Sequence, residues 1–511
     1  MLLITELKLD LNEEESKLKD LISKRLHIKD IPFSYEIYRK STDSRKGIIF
    51  SYQVLLTIEN ENKYLSHKGV SKYNKVNLKP KKVETDKRPV IIGYGPAGMF
   101  AAYRLAEAGL KPIIIEKGKR IKEREKDVEK FFKEGILNPN SNIQFGEGGA
   151  GTFSDAKLTT RIKSSFIEYI LDVFIKHGAN PSIKYEAHPH IGTDEIRKII
   201  ERITNYLISQ GLEFHFEEEV KDFYIENNVL KKVITDEAEY ISDYFLLGIG
   251  HSGYPTIKSL YDNSVYMESK DISIGFRVEH PQSLIDNNQY HGIVSDKLEP
   301  SEYFLTHNGV RGVYSFCMCP GGIVVPATSE ENRVVTNGMS YSNRDSKIAN
   351  AAILVQVKKE DFGNDTLEGF NYLKKLEEKA YAISNSYKAL SQNIKDFIQN
   401  SKNNLIFSST YPLGTINYNF NDFFDSTQRD CFVEALKDFD KKIPGFIDKG
   451  IMVGPETRSS CPIRIVRNDD YESISTKHLF PIGEGAGYGG GIMSCALDGL
   501  KVGDAIINSI K

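Results

Sequence analysis

Three glycines with the spacing G-x-G-x-x-G lie between a short apolar segment, Val90–Ile92, and a helical pattern, Met99–Ala108. In this arrangement the first glycine makes a tight turn, the second lets a diphosphate approach the backbone, and the third lets helix and strand pack closely. The start of the helix offers unpaired N–H groups and a partial positive charge to phosphates. The pattern predicts a dinucleotide site formed by Gly93, Gly95, Pro96, Ala97 and Gly98.

An acidic residue ends the next predicted strand, Pro112–Ile115. Glu116 stands 18 positions after Gly98, where a carboxylate can accept hydrogen bonds from both hydroxyls of an adenosine ribose. The same charge repels a 2′-phosphate, so the sequence favours FAD or NAD over NADP. Lys117, the next residue, is included in the predicted site.

A second acid-and-glycine motif near the C-terminus distinguishes FAD from NAD. A predicted strand ends at Gly483 and is followed by Glu484, a carboxylate suited to the ribityl chain of FAD, for which NAD has no equivalent. Most acids at such a position are Asp, so Glu484 departs from the usual pattern. The loop Gly485–Gly491 then starts a helix, and the N–H groups of Gly491, Ile492 and Met493 would face the N1/C2=O edge of the flavin, where negative charge builds up on reduction. The alternative is a glycine turn that serves packing only.

Four glycines occur between positions 146 and 151, a density that indicates close approach of the backbone to a ligand. Gly148, Gly149 and Ala150 are therefore predicted to contact the cofactor. Two further positions are predicted from the architecture. The backbone of Val220 would pair with adenine, or Val220 is an ordinary strand residue, and Gly250 follows the strand that returns to the sheet.

The candidate catalytic residues are less clearly marked. Cys317 and Cys319 form a C-x-C pair that could make a disulfide or present a thiolate to the flavin, or could be two small buried residues at a strand end. The pair lacks the second pair of a structural zinc site, and no metal is predicted. Arg458 and His280 lie near the predicted domain junction, where an arginine could clamp a substrate carboxylate or join an interdomain ion-pair network.

The order of the predicted strands and helices that position these residues indicates an α/β protein. It has a Rossmann-type FAD-binding domain, an inserted α+β substrate or cap domain and a small N-terminal α+β module. The expected limits are 1–85 for the module and its linker, 86–260 and 458–511 for the FAD-binding domain, and 261–457 for the insertion. Within the insertion, strand-like runs precede one helical region over Glu368–Gln399.

Charge and cysteine content limit the functional classes. The 511 residues carry a formal charge of −3, so no overall field marks a binder of nucleic acid or membrane. Residues 1–90 hold 19 Lys and Arg against 13 Asp and Glu, a mild local excess. The chain shows no signal peptide pattern and no run of 18 apolar residues, and its five cysteines lack a disulfide framework, so we expect a cytoplasmic protein.

Taken together, these motifs resemble the bacterial and plastid FAD-dependent dehydrogenase family, which belongs to the glutathione-reductase-like flavoproteins near the geranylgeranyl-reductase group. The likeness covers nearly the whole chain and implies bound FAD and a flavin fold with an inserted domain. Cys461 and Cys495 stand where the family tends to have Ser, which leaves Cys317 and Cys319 as the thiols of interest. The segments that carry the resemblance are Gly93–Glu116, Asn142–Lys157, Gly250–Ser252, Ile274–Pro281, Phe316–Gly322, Asn337–Ser340, Glu456–Ile465 and Gly483–Gly499.

The predicted function is that of an FAD-dependent oxidoreductase that transfers a hydride to or from a small organic substrate. Since the sequence has no second Rossmann fingerprint, NAD(P)H would bind transiently at the flavin to reset it. One alternative is a flavin monooxygenase. Another is an RNA-modifying enzyme whose N-terminal module grips tRNA and stacks bases on Tyr35, Tyr38, Phe50 and Tyr52. The sequence leaves the oligomeric state open.

Overall fold

The N-terminal module is a four-stranded antiparallel sheet with one helix packed on it, in a computed structural model that describes residues 1–29 and 31–510. The strand order is β2-β3-β1-β4. Leu2 and Ile4 alternate with more exposed residues along the first strand and pack with Ile22 of the helix, as the pleat requires. The elements of the module are β1 (Leu2–Asp10), α1 (Leu18–Leu26), β2 (Phe33–Asp43), β3 (Ile49–Ile58) and β4 (Val70–Lys72).

The next part of the chain supplies four strands of a parallel sheet, four helices before the last of these strands, and an antiparallel meander. Its elements are β5 (Val90–Ile92), α2 (Pro96–Ala108), β6 (Ile113–Glu116), α3 (Ile121–Glu134), α4 (Phe166–Lys176), α5 (Thr193–Ser209), β7 (Glu213–Phe216), the meander β8 (Val220–Glu226), β9 (Val229–Thr235) and β10 (Glu239–Ile241), then β11 (Phe245–Leu247) and α6 (Tyr254–Asp262).

The insertion is built on a seven-stranded sheet of order β14-β15-β18-β13-β21-β19-β20, with helices on it and a separate two-stranded hairpin, β16/β17. Its elements are β12 (Met267–Ser269), β13 (Ile272–Pro281), α7 (Gln282–Tyr290), β14 (Thr306–Asn308), β15 (Gly312–Cys319), β16 (Ile323–Pro326), β17 (Thr336–Met339), β18 (Ile348–Val357), α8 (Glu368–Ser384), β19 (Ala389–Asn393), α9 (Ile394–Gln399), β20 (Thr415–Asn417), α10 (Ser426–Lys442), β21 (Ile451–Glu456) and β22 (Ile463–Ile465).

The C-terminal segment returns to the parallel sheet through β23 (Leu479–Pro481) and ends in α11 (Ile492–Ser509). The complete sheet has the order β23-β11-β5-β6-β7, and its neighbouring strands are all parallel. Strand order reverses between β5 and β11, and a crevice at the carboxyl ends of the strands opens at such a point. The predicted Rossmann-type fold with an inserted domain and an N-terminal α+β module is confirmed.

One expectation about the insertion is wrong. The sequence predicted a single helical region over Glu368–Gln399, but the structure has a strand, β19, between α8 and α9. Helix α8 ends at Asn385, which adopts the left-handed conformation (φ 46°). All five residues of β19 are buried, because the strand lies between β20 and β21 inside the sheet. Tertiary pairing outweighs the local helical pattern here.

The domain limits drawn from the sequence remain predictions. The structure places α6, which ends at Asp262, in the same apolar core as β11. The antiparallel pair β12/β22 also contributes to that core, through Met267 and Ile463. Among the described residues, no helix is long and apolar enough to cross a membrane.

Candidate cofactor site

The glycine turn after β5 is closely packed. Gly93 has φ 92°, and a Cβ at this position would lie 2.4 Å from the carbonyl oxygen of Gly248. A Cβ at Gly98 would lie 2.1 Å from the carbonyl oxygen of Gly93. Gly95 is the N-cap of α2, with Pro96 in the first helical turn and without a side-chain cap. The first-turn N–H groups of α2 are therefore available to an anion at the crevice.

The carboxylate of Glu116 joins three backbone segments. Its Oε2 accepts a hydrogen bond from the N–H of Tyr94 at 2.8 Å, and its Oε1 accepts from the N–H groups of Gly118 and Gly146, each at 2.9 Å. The sequence predicted a ribose acceptor at Glu116, but not that this residue would also connect the turn to the second glycine-rich loop. With three of about four acceptor positions occupied, the carboxylate keeps one for a ribose hydroxyl.

Four of the predicted residues line one cavity between the ends of β5 and β6. On its wall Lys117 pairs with Glu219 at 2.9 Å and lies over the ring of Phe145. The cavity's place at the carboxyl ends of these parallel strands is where the adenosine half of a dinucleotide binds in such folds. The predicted residues that line it are Gly93, Glu116, Lys117 and Val220.

The glycine-rich loop 146–151 is held in place by Arg124, which sequence analysis missed. This fully buried guanidinium donates to the carbonyl oxygens of Asn142, Glu147 and Gly149 at 2.8, 2.7 and 2.9 Å. Burial lowers the pKa of Arg124 to about 9. A signal was present in the sequence, because Arg124 shares the apolar face of α3 with Ile121.

The loop also touches the first turn. The N–H of Gly148 donates to the carbonyl oxygen of Tyr94 at 2.9 Å. A Cβ at Gly149 would lie 2.8 Å from the Cα of Gly95. The 3-10 turn Ala150–Phe153 follows directly. The structure thus brings Gly148, Gly149 and Ala150 to the turn that bears the fingerprint.

Glu484 lies in the loop between β23 and α11. Its side chain is half-buried, and its carboxyl accepts no hydrogen bond from residues 1–29 or 31–510. Burial raises the pKa of Glu484 to about 8, against the opposing charge of Lys270. A half-buried carboxyl without a protein partner keeps its acceptor positions for a donor that a ligand can provide. The hydroxyls of a ribityl chain would supply it.

The same loop closely approaches the turn that follows β11. A Cβ at Gly485 would lie 2.4 Å from the carbonyl oxygen of Gly250, whereas Gly250 itself faces open space. The N–H of Gly483 donates to Asp498 at 2.8 Å, and Gly483 has φ 71°. Gly250, Gly483 and Glu484 are therefore neighbours, as a cofactor extended across the crevice requires.

The N-terminus of α11 is open. A Cβ at Gly490 or at Gly491 would meet nothing within 4 Å, and Gly491 provides no side-chain cap. Ile492 packs toward Gly151, where a Cβ would lie 2.8 Å from Ile492 Cγ1. The side chain of Met493 is buried in the core, so only its backbone N–H can serve a ligand. The helix start thus lies beside the second glycine-rich loop.

Arg458 does not present free donors to a substrate. Its Nε and Nη2 donate to Glu377 at 3.0 and 2.8 Å, and its Nη1 donates to Ser252 and Ser329 at 3.1 and 2.6 Å. Nη2 also donates to Glu330 at 3.3 Å. Of the two roles weighed for Arg458, the structure favours the interdomain network over the substrate clamp, because all five N–H groups are used.

The structure places His280 in the core of the insertion. Side chains alternate along β13, and His280 shares the core face with Phe276 and Val278. It is fully buried, its Nε2 donates to the carbonyl oxygen of Phe446 at 2.8 Å, and burial lowers its pKa to about 4. The ring is therefore a neutral core residue.

On the opposite face of β13, one side chain makes a network of hydrogen bonds to polar groups. Arg277 is fully buried and pairs with both carboxylate oxygens of Glu456, at 2.6 and 3.0 Å. It also donates to the carbonyl oxygen of Cys317 at 2.8 Å and to Asn337 at 2.9 Å. Arg277 thus fixes the C-x-C segment, a role that the sequence did not reveal.

The aromatic residues considered for base stacking divide into two groups. Phe50 and Tyr52 are buried in the core of the N-terminal module. Tyr35 and Tyr38 are partly exposed, and Tyr38 packs edge-on against Tyr73. Only two of the four positions could meet a base from outside.

The strand order, the glycine turn with its acid and the C-terminal acid-and-glycine loop define a Rossmann-type flavoprotein. A family model for the FAD binding domain matches residues 88–123, and a model described as FAD-dependent protein, C-terminal domain-like, matches residues 271–459. An uncharacterized protein of Clostridium beijerinckii is 40% identical over 99% of this chain and 98% of its own. The chain belongs to this family of FAD-dependent proteins, and the predicted FAD-dependent oxidoreductase is confirmed at that level.

Two solved structures show more distant similarity. CtdE in complex with FAD is 12% identical, covering 83% of this chain and 84% of its own, with a TM-score of 0.32. A geranylgeranyl bacteriochlorophyll reductase-like protein of Thermoplasma acidophilum is 11% identical, covering 83% of this chain and 79% of its own, with a TM-score of 0.35. Scores this low do not establish a shared fold, which rests here on the strand order.

Proposed function

We propose that the protein is a dehydrogenase or reductase that transfers a hydride between FAD and a small organic substrate. When bound, FAD supplies reversible two-electron chemistry. The observation that carries the proposal is the open N-terminus of α11 at Gly491, beside the loop that bears Gly151. Backbone N–H groups at a helix start stabilise negative charge, which favours a reduced cofactor.

The crevice at the carboxyl ends of the parallel strands forms a groove for the cofactor, and its flavin end is the end at the N-terminus of α11. The position of the insertion supports a substrate site at this flavin end. The hairpin β16/β17 packs on the second glycine-rich loop, where Val325 and Met339 contact Phe153. Gln144 donates to the carbonyl oxygen of Ala327 at 3.1 Å. These contacts cover the loop and keep water from it, so a substrate would enter between the insertion and the FAD-binding domain.

We further propose that NAD(P)H resets the cofactor. The part of the chain that the structure describes contains one five-stranded parallel sheet, and FAD accounts for its dinucleotide crevice. A nicotinamide nucleotide would therefore bind briefly at the substrate side and leave before the substrate arrives.

Anaerobic stopped-flow mixing of the FAD-loaded protein with NADH, and separately with NADPH, tests this proposal. We expect one of the two to remove the absorbance of oxidised flavin in a single saturable phase, and a metabolite screen then to identify the compound that restores it. If neither nucleotide reduces the flavin while dithionite does, the proposed reductant is wrong. A product that forms only with oxygen present would instead indicate a monooxygenase.

A further inference from the structure

Cys317 and Cys319 are brought together by an irregularity in β15. Phe316 pairs with Ala352 and Cys319 pairs with Asn350, so β15 has one residue more than β18 over this stretch. Cys317 takes φ 42°, a conformation that side-chain-bearing residues rarely adopt. In a regular strand, residues two apart lie on one face but some distance from each other. The bulge alters this spacing within the C-x-C segment.

The Cys319 side chain turns back onto the backbone of Cys317. The Cys319 thiol donates to the carbonyl oxygen of Cys317 at 3.5 Å, and both cysteines are free. The thiol–thiol contact lowers the pKa of Cys317 and raises that of Cys319, and the charges of Arg277 and Lys157 lower that of Cys317 further. One thiol is thus activated as a nucleophile and the other is kept protonated beside it, the asymmetry that disulfide exchange uses.

A chain of contacts links this segment to the residues that follow the second glycine-rich loop. The second glycine-rich loop continues into Asp155, which accepts hydrogen bonds from Ser340 and from Arg344, the latter at 2.8 Å. Lys157, two residues further, pairs with Glu302 at 2.9 Å and carries the charge that acts on Cys317. Only four positions separate Gly151, which packs against the start of α11, from Asp155.

We propose that Cys317 and Cys319 form a reversible dithiol–disulfide couple that exchanges two electrons with the bound FAD. In one direction the S–S bond breaks, and the two sulfurs take up two electrons and two protons from reduced FAD, which becomes oxidised. In the other direction the two thiols lose the same electrons and protons to oxidised FAD and the S–S bond forms. The couple would give the protein a second two-electron carrier, whatever compound reduces the flavin.

Peptide mapping tests the couple without any turnover. Trypsin releases Gly312–Arg333 as one peptide, because Arg311 precedes it and no Lys or Arg lies inside it, and its only cysteines are Cys317 and Cys319. The FAD-loaded protein is equilibrated in mixtures of oxidised and reduced dithiothreitol, alkylated and digested. We expect this peptide to change from two alkyl groups to none as the mixture becomes more oxidising, while the peptides of Cys431, Cys461 and Cys495 stay alkylated.

Anaerobic titration with dithionite tests the exchange with FAD. We expect wild type that has first been oxidised with oxidised dithiothreitol and freed of it to take up two equivalents of reductant before the flavin is fully reduced, and Cys319→Ser treated in the same way to take up one. Cys317→Ser is the second variant, since Cys317 is less buried and its replacement disturbs the core less. Cys431→Ser, in α10, is the control and should still require two equivalents. A peptide that keeps both thiols in every mixture, or a wild type that takes up one equivalent, would refute the proposal. Neither readout depends on NAD(P)H.

Discussion

The adenosine end and the flavin end of the groove are built differently. At the adenosine end, the carboxylate of Glu116 already accepts three backbone hydrogen bonds. At the other end, the carboxyl of Glu484 accepts none from the described chain and burial raises its pKa to about 8. The first acid organises the protein before any ligand binds. The second, Glu484, keeps its acceptor positions for a ligand.

This difference indicates that the two ends of the groove have different roles in binding. A pre-organised adenosine end binds the common part of the cofactor at little entropic cost. An open flavin end, with Gly490 and Gly491 facing free space, leaves room for the ring and for a substrate. Four substitutions test this view, in order of decreasing effect.

The largest effect is expected for Gly98→Ala. The added methyl group would lie 2.1 Å from the carbonyl oxygen of Gly93, so β5 and α2 must separate. We expect the purified variant to be colourless, with a loss of more than about 3 kcal/mol in the free energy of unfolding. The control is Gly312→Ala, where a Cβ meets nothing within 4 Å. Flavin absorbance and denaturant unfolding measure both, and a yellow, stable Gly98→Ala protein would contradict the close packing.

Replacing Arg124 should have the next largest effect. In Arg124→Lys a single ammonium cannot reach the carbonyl oxygens of Asn142, Glu147 and Gly149 together. We expect a loss of about 3 kcal/mol in stability and a clear loss of FAD affinity, because the glycine-rich loop is no longer held. Arg197→Lys is the matched control, since Arg197 also lies near the ring of Phe153 but is partly exposed. Equal effects of the two variants would show that Arg124 has no special role.

These two residues also show what the sequence could predict. Gly98 was predicted because its function depends on spacing within one βαβ unit, and local spacing is visible in the sequence. Arg124 and Arg277 act on backbone carbonyls and carboxylates brought near by folding, such as Glu456, 179 positions after Arg277. The buried position of His280 could not be predicted, because strand alternation within a packed sheet decides which face a side chain takes.

The two acids give the sharpest test of the comparison. In Glu116→Gln the amide group must turn an N–H toward the N–H of Tyr94 or of Gly118 and Gly146, so we expect a loss of about 2 kcal/mol in the stability of the flavin-free protein. Glu484→Gln faces no such donors and should leave this stability unchanged or higher. It should weaken FAD binding about tenfold, the equivalent of one lost hydrogen bond. Calorimetry with FAD and thermal unfolding without it separate the two effects.

The smallest effect is a pH dependence that belongs to Glu484. The unfolded chain releases this proton near its ordinary pKa of about 4.3, whereas the folded protein holds it up to about 8. Over that range the folded state binds more protons, so the free energy of unfolding falls as the pH rises and levels off above about 8. Full linkage would cost about 1.4 kcal/mol per pH unit over this range, but solvent screens the half-buried carboxyl, so we expect flavin-free wild type to lose about 1–2 kcal/mol relative to Glu484→Gln between pH 5 and pH 8. Parallel stability curves for the two proteins would mean that Glu484 is solvated in the absence of FAD, and the two ends of the groove would then not differ in this respect.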